Sequence, residues 1–300
     1  MSQKITPNVW FDGNAKEAVD FYTSLFPNSK IASTAYYPKS AEEGLADFQQ
    51  NMAGKELTIE FTLGGLGFSA INAGPEFKVN PSISFMVNFD PSQDDQAQEH
   101  LDELWDKLID SGEALMALNS YPFSKRYGWV KDRYGLTWQL ILTNPDGEPR
   151  PMIVPSLMFT GQNTNHAEAA IKFYVSLFPD TKLGTMAPYT DDTGPAKAGS
   201  LMFADFMLAG QWFAAMDSGV EKDFSFNEAI SLSVACKDQA EIDAFWEKLS
   251  AVPESEQCGW CKDKYGVSWQ IVPENMAELM KRPNAFAKLM EMKKLVIADF

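Results

Sequence analysis

The sequence predicts an α+β fold made of two tandem copies of one module. The segment at 128–139 returns at 259–270 with 8 of 12 residues identical, and Phe-Tyr-x-Ser-Leu-Phe-Pro at 21–27 returns at 173–179. A chain of 300 residues with 45% hydrophobic residues is long and apolar enough for two cores. The repeat predicts a first module at 1–145, a second module at 151–274 and a C-terminal helical extension at 275–300.

Each copy shows the same order of predicted elements. Apolar runs of strand length precede amphipathic helices, and Gly-containing pairs mark hairpin turns. Each copy therefore contains two β-α-β-β-β units, which makes four in the chain. The clearest segments are strands at 5–11 and 153–159, helices ending before Pro27 and Pro179, hairpins at 57–72 and 201–216, strands at 83–89 and 230–235, and helices at 94–108 and 239–249.

Two segments fall outside the repeat. The stretch 144–151 is rich in Pro and Gly and predicts a linker between the modules. Residues 275–297 predict one or two further helices, interrupted at Pro283, and they have no counterpart in the first copy.

Charge and composition exclude several partners. The chain carries 25 basic and 41 acidic residues, a net charge of −16, which repels nucleic acid. It has no apolar run of the roughly 18 residues that a membrane span needs. Residues 1–7 lack the apolar core of a signal peptide, and three cysteines are too few for a disulfide framework. We expect a cytoplasmic protein that binds neither nucleic acid nor membrane.

The cysteine and histidine residues offer little chemistry. Cys258 and Cys261 have the spacing of a redox or half-zinc motif, but on a strand they point to opposite faces and cannot pair. The histidines, His100 and His166, fall in a predicted helix and in a loop. We interpret the cysteines as structural and the histidines as surface residues.

Three motifs resemble a known family. They are Phe-x-Gly-Asn-Ala-x-Glu-Ala-x-x-Phe-Tyr at 11–22, Asn-x-x-Ile-Ser at 80–84 and 227–231, and Cys-Gly-Trp-x-Lys-Asp-x-Tyr-Gly-x-Ser-Trp-Gln at 258–270. Together they resemble the PhnB-like family (3-demethylubiquinone-9 3-methyltransferase-like domain) of the vicinal-oxygen-chelate superfamily, which includes glyoxalase I. The resemblance implies that two βαβββ units form a curled mixed sheet around a cavity in each module, and that the two modules form a pseudo-dimer within one chain.

The resemblance also implies where a divalent metal ion would bind in metal-dependent relatives. The ligand positions fall near Pro7, Pro155, 70–72, 214–216, Ser82, Ala229, Gln139 and Gln270. Few of these are good ligands, so we expect no metal or other cofactor. A methyltransferase activity is also not expected, because no strand is followed by the Gly-rich turn and helix that would hold S-adenosylmethionine.

The expected cavity indicates which residues could bind a ligand. If Trp138 and Trp269 pack on the helices, the neighbouring Gln139 and Gln270 face the cavity, because side chains alternate along a strand. The full set of predicted cavity residues is Trp10, Asn72, Phe85, Gln139, Met216, Ser231 and Gln270.

Three functions remain open. The first is metal-independent binding of a small apolar or amphipathic molecule. The alternative is a divalent-metal-dependent lyase, isomerase or dioxygenase whose ligands include Asn72, Gln139, Asp217 or Gln270. The third is an interaction protein that binds a partner through its acidic surface and C-terminal helices.

Overall fold

The structure is a computed structural model that describes residues 3–300. The first copy forms β1 (Ile5–Phe11), α1 (Ala15–Leu25), β2 (Lys30–Tyr36), β3 (Glu56–Leu63), β4 (Leu66–Asn72), β5 (Ile83–Phe89), α2 (Ala97–Ile109), β6 (Glu113–Tyr121), β7 (Ser124–Lys131) and β8 (Thr137–Leu142). The second copy forms β9 (Ile153–Phe159), α3 (Ala167–Leu177), β10 (Lys182–Pro188), β11 (Leu201–Leu208), β12 (Gln211–Asp217), β13 (Ile230–Cys236), α4 (Gln239–Leu249), β14 (Trp260–Lys262) and β15 (Ser268–Pro273). Two short helices follow, α5 (Met276–Leu279) and α6 (Ala285–Glu291).

These strands form two mixed sheets. The seven-stranded sheet has the order β14-β15-β13-β1-β4-β3-β2, and the eight-stranded sheet has the order β10-β11-β12-β9-β5-β8-β7-β6. Antiparallel pairing of β1 with β13 and of β5 with β9 joins the units. The predicted α+β class is confirmed, with three complete βαβββ units and a fourth, β13-α4-β14-β15, that lacks one strand. The module boundaries stay a prediction, and residues 1 and 2 of the first module lie outside the described part of the chain.

The connectivity differs from the expectation in one respect. Each sheet combines one unit of the first copy with one unit of the second, whereas the sequence led us to expect the two units of one copy to share a sheet. The reason is that β1 and β5 each form an edge of their own unit, and an open strand edge must be covered. In both cases the strand that covers the edge belongs to the other copy, as in a dimer that exchanges elements.

One continuous core lies on the helix-bearing faces of both sheets. Helices α1 and α4 contact the seven-stranded sheet, and α2 and α3 contact the eight-stranded sheet. The two sheets meet directly where Phe68 of β4 and Phe85 of β5 pack edge to face, with their ring centroids 5.0 Å apart. Trp138 and Trp269 are fully buried in this core, where Trp138 contacts Tyr22 of α1.

The repeated Lys-Asp-x-Tyr-Gly-x-x-Trp-Gln motif mainly stabilises the fold. Asp263 accepts hydrogen bonds from the indole of Trp269 at 2.8 Å, from the hydroxyl of Tyr174 at 2.7 Å, and from the backbone N–H groups of Tyr265 and Val267. Burial raises the pKa of this carboxyl, and the hydrogen bonds oppose that rise. The first copy repeats the indole and backbone bonds through Asp132, Trp138, Tyr134 and Leu136, while the hydroxyl of Tyr22 faces Asp132 without the well-formed hydrogen bond that Tyr174 makes to Asp263.

The C-terminal extension replaces a strand. The second copy has no counterpart of β6, so β14 would be an uncovered edge. Instead, the N–H groups of Cys258 and Gly259 donate to the carbonyls of Met292 and Lys293, each at 2.7 Å. Such an edge exposes unpaired backbone groups unless another segment covers it.

The same extension reaches the opposite edge of the seven-stranded sheet. Phe286 of α6 packs on Tyr37, with ring centroids 6.0 Å apart, in a cluster with Leu45 of the β2–β3 loop. A flat sheet of seven strands is about 29 Å wide at ~4.8 Å per interval. Phe286 and Met292 are six residues apart, which spans about 9 Å in a helix. The sheet therefore curls so that its edges approach each other.

Candidate functional site

Each sheet has one face that carries no helix. On β1, Ile5, Val9 and Phe11 lie in the core, so Asn8 and Trp10 must point to the other side. We call the helix-free face of the seven-stranded sheet the polar face. Its central residues are Thr6, Asn8, Thr58, Glu60, Gly67, Ser69, Ser231, Ser233 and Gln270. We call the helix-free face of the eight-stranded sheet the apolar face. Its central residues are Ser84, Met86, Gln139, Val154, Ser156, Phe203, Asp205, Trp212 and Ala214.

Five of the seven predicted cavity residues lie on these faces. Trp10, Ser231 and Gln270 are on the polar face, and Gln139 and Met216 are on the apolar face. The predicted set is thus divided between two sheets and cannot surround a single ligand.

The placement of Asn72 and Phe85 corrects the prediction that they line the cavity. Phe85 belongs to the core between the sheets, where it contacts Phe68 and Trp138. Asn72 accepts a hydrogen bond from the N–H of Ala15 at 3.0 Å and thereby ties the start of α1 to β4. Both residues occupy strand positions whose side chains point to the helix-bearing face. An error of one residue in the predicted alternation places them on the opposite face.

The two repeated glutamines differ in what their amide groups bind. The hydroxyl of Tyr127 donates to Gln139 Oε1 at 2.8 Å, and Gln139 Nε2 donates to Ser84 Oγ at 2.7 Å. Gln270 Nε2 makes the equivalent bond to Ser231 Oγ at 2.9 Å. No donor among residues 3–300 reaches Gln270 Oε1, because Cys258 stands where the first copy has Tyr127. Only the second glutamine keeps a free acceptor.

A row of polar side chains crosses the polar face. In register across neighbouring strands lie Glu60 on β3, Ser69 on β4, Asn8 on β1 and Ser231 on β13. Asn8 is only 5% exposed, and its Oδ1 has no hydrogen-bond partner within residues 3–300. A buried acceptor left unpaired costs about 1–3 kcal/mol. Asn8 Oδ1 is therefore available to accept a hydrogen bond from a bound molecule.

Glu60 has a distinctive environment. Its side chain is accessible along the open face, yet burial of the carboxyl among neighbouring groups raises its pKa, and a hydrogen bond from Ser69 opposes the rise. Within residues 3–300 no Lys, Arg or His forms an ion pair with it. The carboxyl group of Glu60 on the polar face therefore has no ion-pair partner within the described residues.

Aromatic rings border the polar face. Trp10 packs edge to face on Phe77 at 5.0 Å and on Trp260 of β14 at 6.0 Å, and its indole donates to the carbonyl of Gly74 at 2.7 Å. The face thus combines hydrogen-bonding groups at its centre with fixed aromatic surface beside them, as small-molecule sites commonly do.

The apolar face is filled by its own side chains. Met86, Val154, Trp212 and Ala214 form a buried cluster there. Arg150 stacks on Trp212 with its guanidinium carbon 3.8 Å from the ring centroid, and its Nε lies 2.8 Å from Asp205 Oδ2. The remaining cavity measures about 30 Å³, which is the volume of about one water molecule.

The side chains of neither face fit the divalent metal ion of metal-dependent relatives. The four central strands present Asn8, Ser69, Ser231 and Gln270 on the polar face, and Ser156, Ala214, Ser84 and Gln139 on the apolar face. Amides and hydroxyls are weak ligands beside the imidazole, thiolate and carboxylate groups that bind transition metals. No three His, Cys, Asp or Glu side chains within residues 3–300 come together.

The alternative ligand set also remains dispersed. Asn72 and Asp217 each accept a hydrogen bond from the first residue of a helix, Ala15 and Ala167, on the helix-bearing faces. Gln139 and Gln270 lie in different sheets. The four side chains therefore cannot hold one metal ion together.

The two histidines and the buried Cys236 and Cys261 lie away from both helix-free faces. His100 Nδ1 lies 2.7 Å from Asp94 Oδ2 on an exposed surface, and His166 immediately precedes α3. Cys236 and Cys261 are buried free thiols, and burial raises the pKa of Cys236 to about 12. Cys258 is also free and half-buried. A protonated buried thiol is unreactive.

Sequence reasoning missed Asn8 and Glu60. The signal for Asn8 was present, because an amide between Pro7 and Val9 on a predicted buried strand needs a partner. Glu60 gave a weaker signal, since it occupies one of the polar positions in the alternating pattern of β3, between Thr58 and Thr62. That the two residues share a face depended on strand pairing across the copies, which no local pattern indicates.

Comparison with known proteins identifies the family. The family model described as 3-demethylubiquinone-9 3-methyltransferase matches residues 3–141 and again residues 151–272. The chain belongs to this PhnB-like family. No curated protein matches the chain. A PhnB protein of Bacillus cereus assigned to the same methyltransferase group is 37% identical over 47% of the chain and all of its own length, with a TM-score of 0.40.

Two further structures extend the comparison. A protein of Pseudomonas aeruginosa is 21% identical over 47% of this PhnB-like chain and 98% of its own length, with a TM-score of 0.39. Glyoxalase I of Zea mays covers 92% of the chain and 96% of its own length at 11% identity, with a TM-score of 0.51. The latter shares the fold. Family and fold together make the chain a vicinal-oxygen-chelate protein. No helix within residues 3–300 is long and apolar enough to span a membrane.

Proposed function

We propose that this PhnB-like protein binds a small amphipathic molecule on its polar face without a metal ion. The observation that carries the proposal is the buried, unpaired Oδ1 of Asn8 at the centre of that face. The free Gln270 Oε1 and the carboxyl of Glu60 supply further acceptors. Trp10 and Trp260 offer aromatic surface for the apolar part of the ligand.

The proposal assigns one site to the chain. The apolar face has the same strand topology, but the bulky Trp212 and Met86 stand there at the positions of Gly67 and Ser233 on the polar face. The methyl transfer in the family description is not part of the proposal. Only Gly13 and Gly161 lie in the turns that lead from strands into α1 and α3, and neither turn has the Gly-rich pattern of a nucleotide-type cofactor site.

Binding without metal can be tested by NMR titration of the full chain in excess chelator. Benzyl alcohol, benzamide, benzylamine and benzoate serve as probes, and the indole N–H signals of Trp10 and Trp260 report on the polar face. We expect at least one probe to shift both signals in a saturable manner, and we expect Asn8→Ala to abolish the shifts. Because Asn8 Oδ1 has no partner, the variant should remain as stable as the natural chain.

The matched control is Ser156→Ala, the equivalent position on the apolar face, which should leave the shifts unchanged. The proposal fails if the probes bind only after Mn²⁺ or Ni²⁺ is added. It also fails if Asn8→Ala and Ser156→Ala have the same effect.

A further inference from the structure

The apolar face contains an ion pair that has no equivalent on the polar face. Asp205 on β11 and Glu60 on β3 occupy equivalent positions, because Asp205 lies opposite Ala214 as Glu60 lies opposite Ser69. In the apolar face the carboxylate binds the guanidinium of Arg150, which stacks on Trp212. A cationic group from the chain itself thus occupies that position.

The polar face keeps the carboxyl but not the cation. Glu60 has no basic partner within residues 3–300, and Gly67 stands where the apolar face has Trp212. The polar face therefore has no equivalent of Arg150 or Trp212, and the side chain of Gln3 lies over Gly67, paired with its backbone.

The polar face holds two further acceptors beside the donors of its amides and hydroxyls. Asn8 Oδ1 and Gln270 Oε1 both lack donors within residues 3–300, and Asn8 lies two strands from Glu60, about 10 Å between backbones. An ammonium or guanidinium group has three to five N–H donors and no acceptor, so it complements such a set of oxygens. Neighbouring Trp10 and Trp260 add aromatic rings, whose faces can attract a cation.

We propose that the ligand of the polar face carries a cationic nitrogen group, an amine or a guanidine, that binds between Glu60 and Asn8. This inference rests on the proposed function and adds the chemical class of the ligand. The net charge of −16 favours the approach of a cation to the protein.

The test compares probes that share one ring and differ in charge. Benzylamine, benzyl alcohol and benzoate are titrated against the full chain at neutral pH, with the Trp10 and Trp260 indole signals as the readout. We expect benzylamine to bind on the order of tenfold more tightly than benzyl alcohol, as a charge-assisted hydrogen bond predicts. Benzoate should bind most weakly.

Variants then assign the preference to one residue. Glu60→Gln should reduce benzylamine affinity on the order of tenfold and leave benzyl alcohol unchanged. Glu60→Lys, which copies the charge of Arg150, should abolish benzylamine binding and favour benzoate. Glu221→Gln removes an exposed carboxylate elsewhere and should change nothing.

The outcomes separate the two proposals. If benzyl alcohol binds as tightly as benzylamine, and if Asn8→Ala but not Glu60→Gln removes the binding, the polar face remains the site and the cationic ligand is refuted. If no probe shifts the indole signals, both proposals fail. Reversal of the charge preference by Glu60→Lys supports the cationic ligand even if Glu60→Gln is poorly folded.

Discussion

The polar and apolar faces arise from one repeated unit and have opposite properties. Both place a glutamine and a serine at equivalent central positions, Gln270 with Ser231 and Gln139 with Ser84. On the apolar face large side chains and an internal ion pair fill the space, and about 30 Å³ remains. On the polar face small residues leave acceptors free. A duplicated fold can thus keep one copy of a site open while packing closes the other.

Three predictions test this comparison, and the largest effect concerns Trp212. Trp212→Ala should destabilise the protein by about 3–5 kcal/mol, because it leaves a large cavity in the cluster of Met86 and Val154 and removes the ring on which Arg150 stacks. Urea denaturation measures the change. Trp10→Ala on the polar face, where the ring is partly exposed, should cost clearly less. Equal losses would mean that the two faces are packed alike.

A second prediction sharpens the comparison of the two copies in the core. Asp263→Asn should cost about 2–3 kcal/mol, because Oδ2 accepts from both Trp269 and Tyr174. Asp132→Asn should cost less, by up to about 1 kcal/mol, since Oδ2 accepts from Trp138 while the hydroxyl of Tyr22 interacts with Asp132 more weakly than Tyr174 does with Asp263. Thermal or chemical denaturation of the pair provides the measurement. A larger loss at Asp132 would contradict the hydrogen-bond pattern.

The smallest effect concerns pH and Glu60. Burial raises the folded-state pKa of Glu60 above its unfolded value, so the folded chain holds the proton more tightly. Stability from this group is therefore fully present below the unfolded pKa and decreases as pH rises through the folded pKa. The free energy of unfolding of the natural chain, relative to that of Glu60→Gln, should decrease as pH rises from the unfolded-state pKa to the folded-state pKa of Glu60. Above the folded-state pKa the difference should stay constant.

The pH effect is measured by denaturation of both proteins at several pH values. The Glu60 carboxyl pKa itself is measured by ¹³C NMR titration and should lie above that of an exposed Glu such as Glu221. A Glu60 pKa below the ordinary value would indicate a cationic partner already present on the polar face.

Sequence alone determined the elements and the family. The periodicity of the α1 and α4 segments, the hairpin glycines and the repeated phrase predicted the α+β class and the PhnB-like match, because these signals are local or are copied twice. Strand alternation also placed Gln139 and Gln270 opposite the buried Trp138 and Trp269. These results need only the order of residues along each strand.

Tertiary structure decided which strands share a sheet, and strand pairing in turn decided which residues form the candidate site. Pairing of β1 with β13 brings Asn8 beside Ser231, and pairing of β3 with β4 brings Glu60 into the same row. The sequence separates Asn8 from Ser231 by more than 200 residues, and no local preference encodes such a contact. The sequence analysis also placed Asn72 and Phe85 on the wrong face, because an error of one residue in the alternation of a strand moves every side chain to the opposite face. The repeated motif identified the fold, and long-range strand pairing decided which side chains meet on each helix-free face.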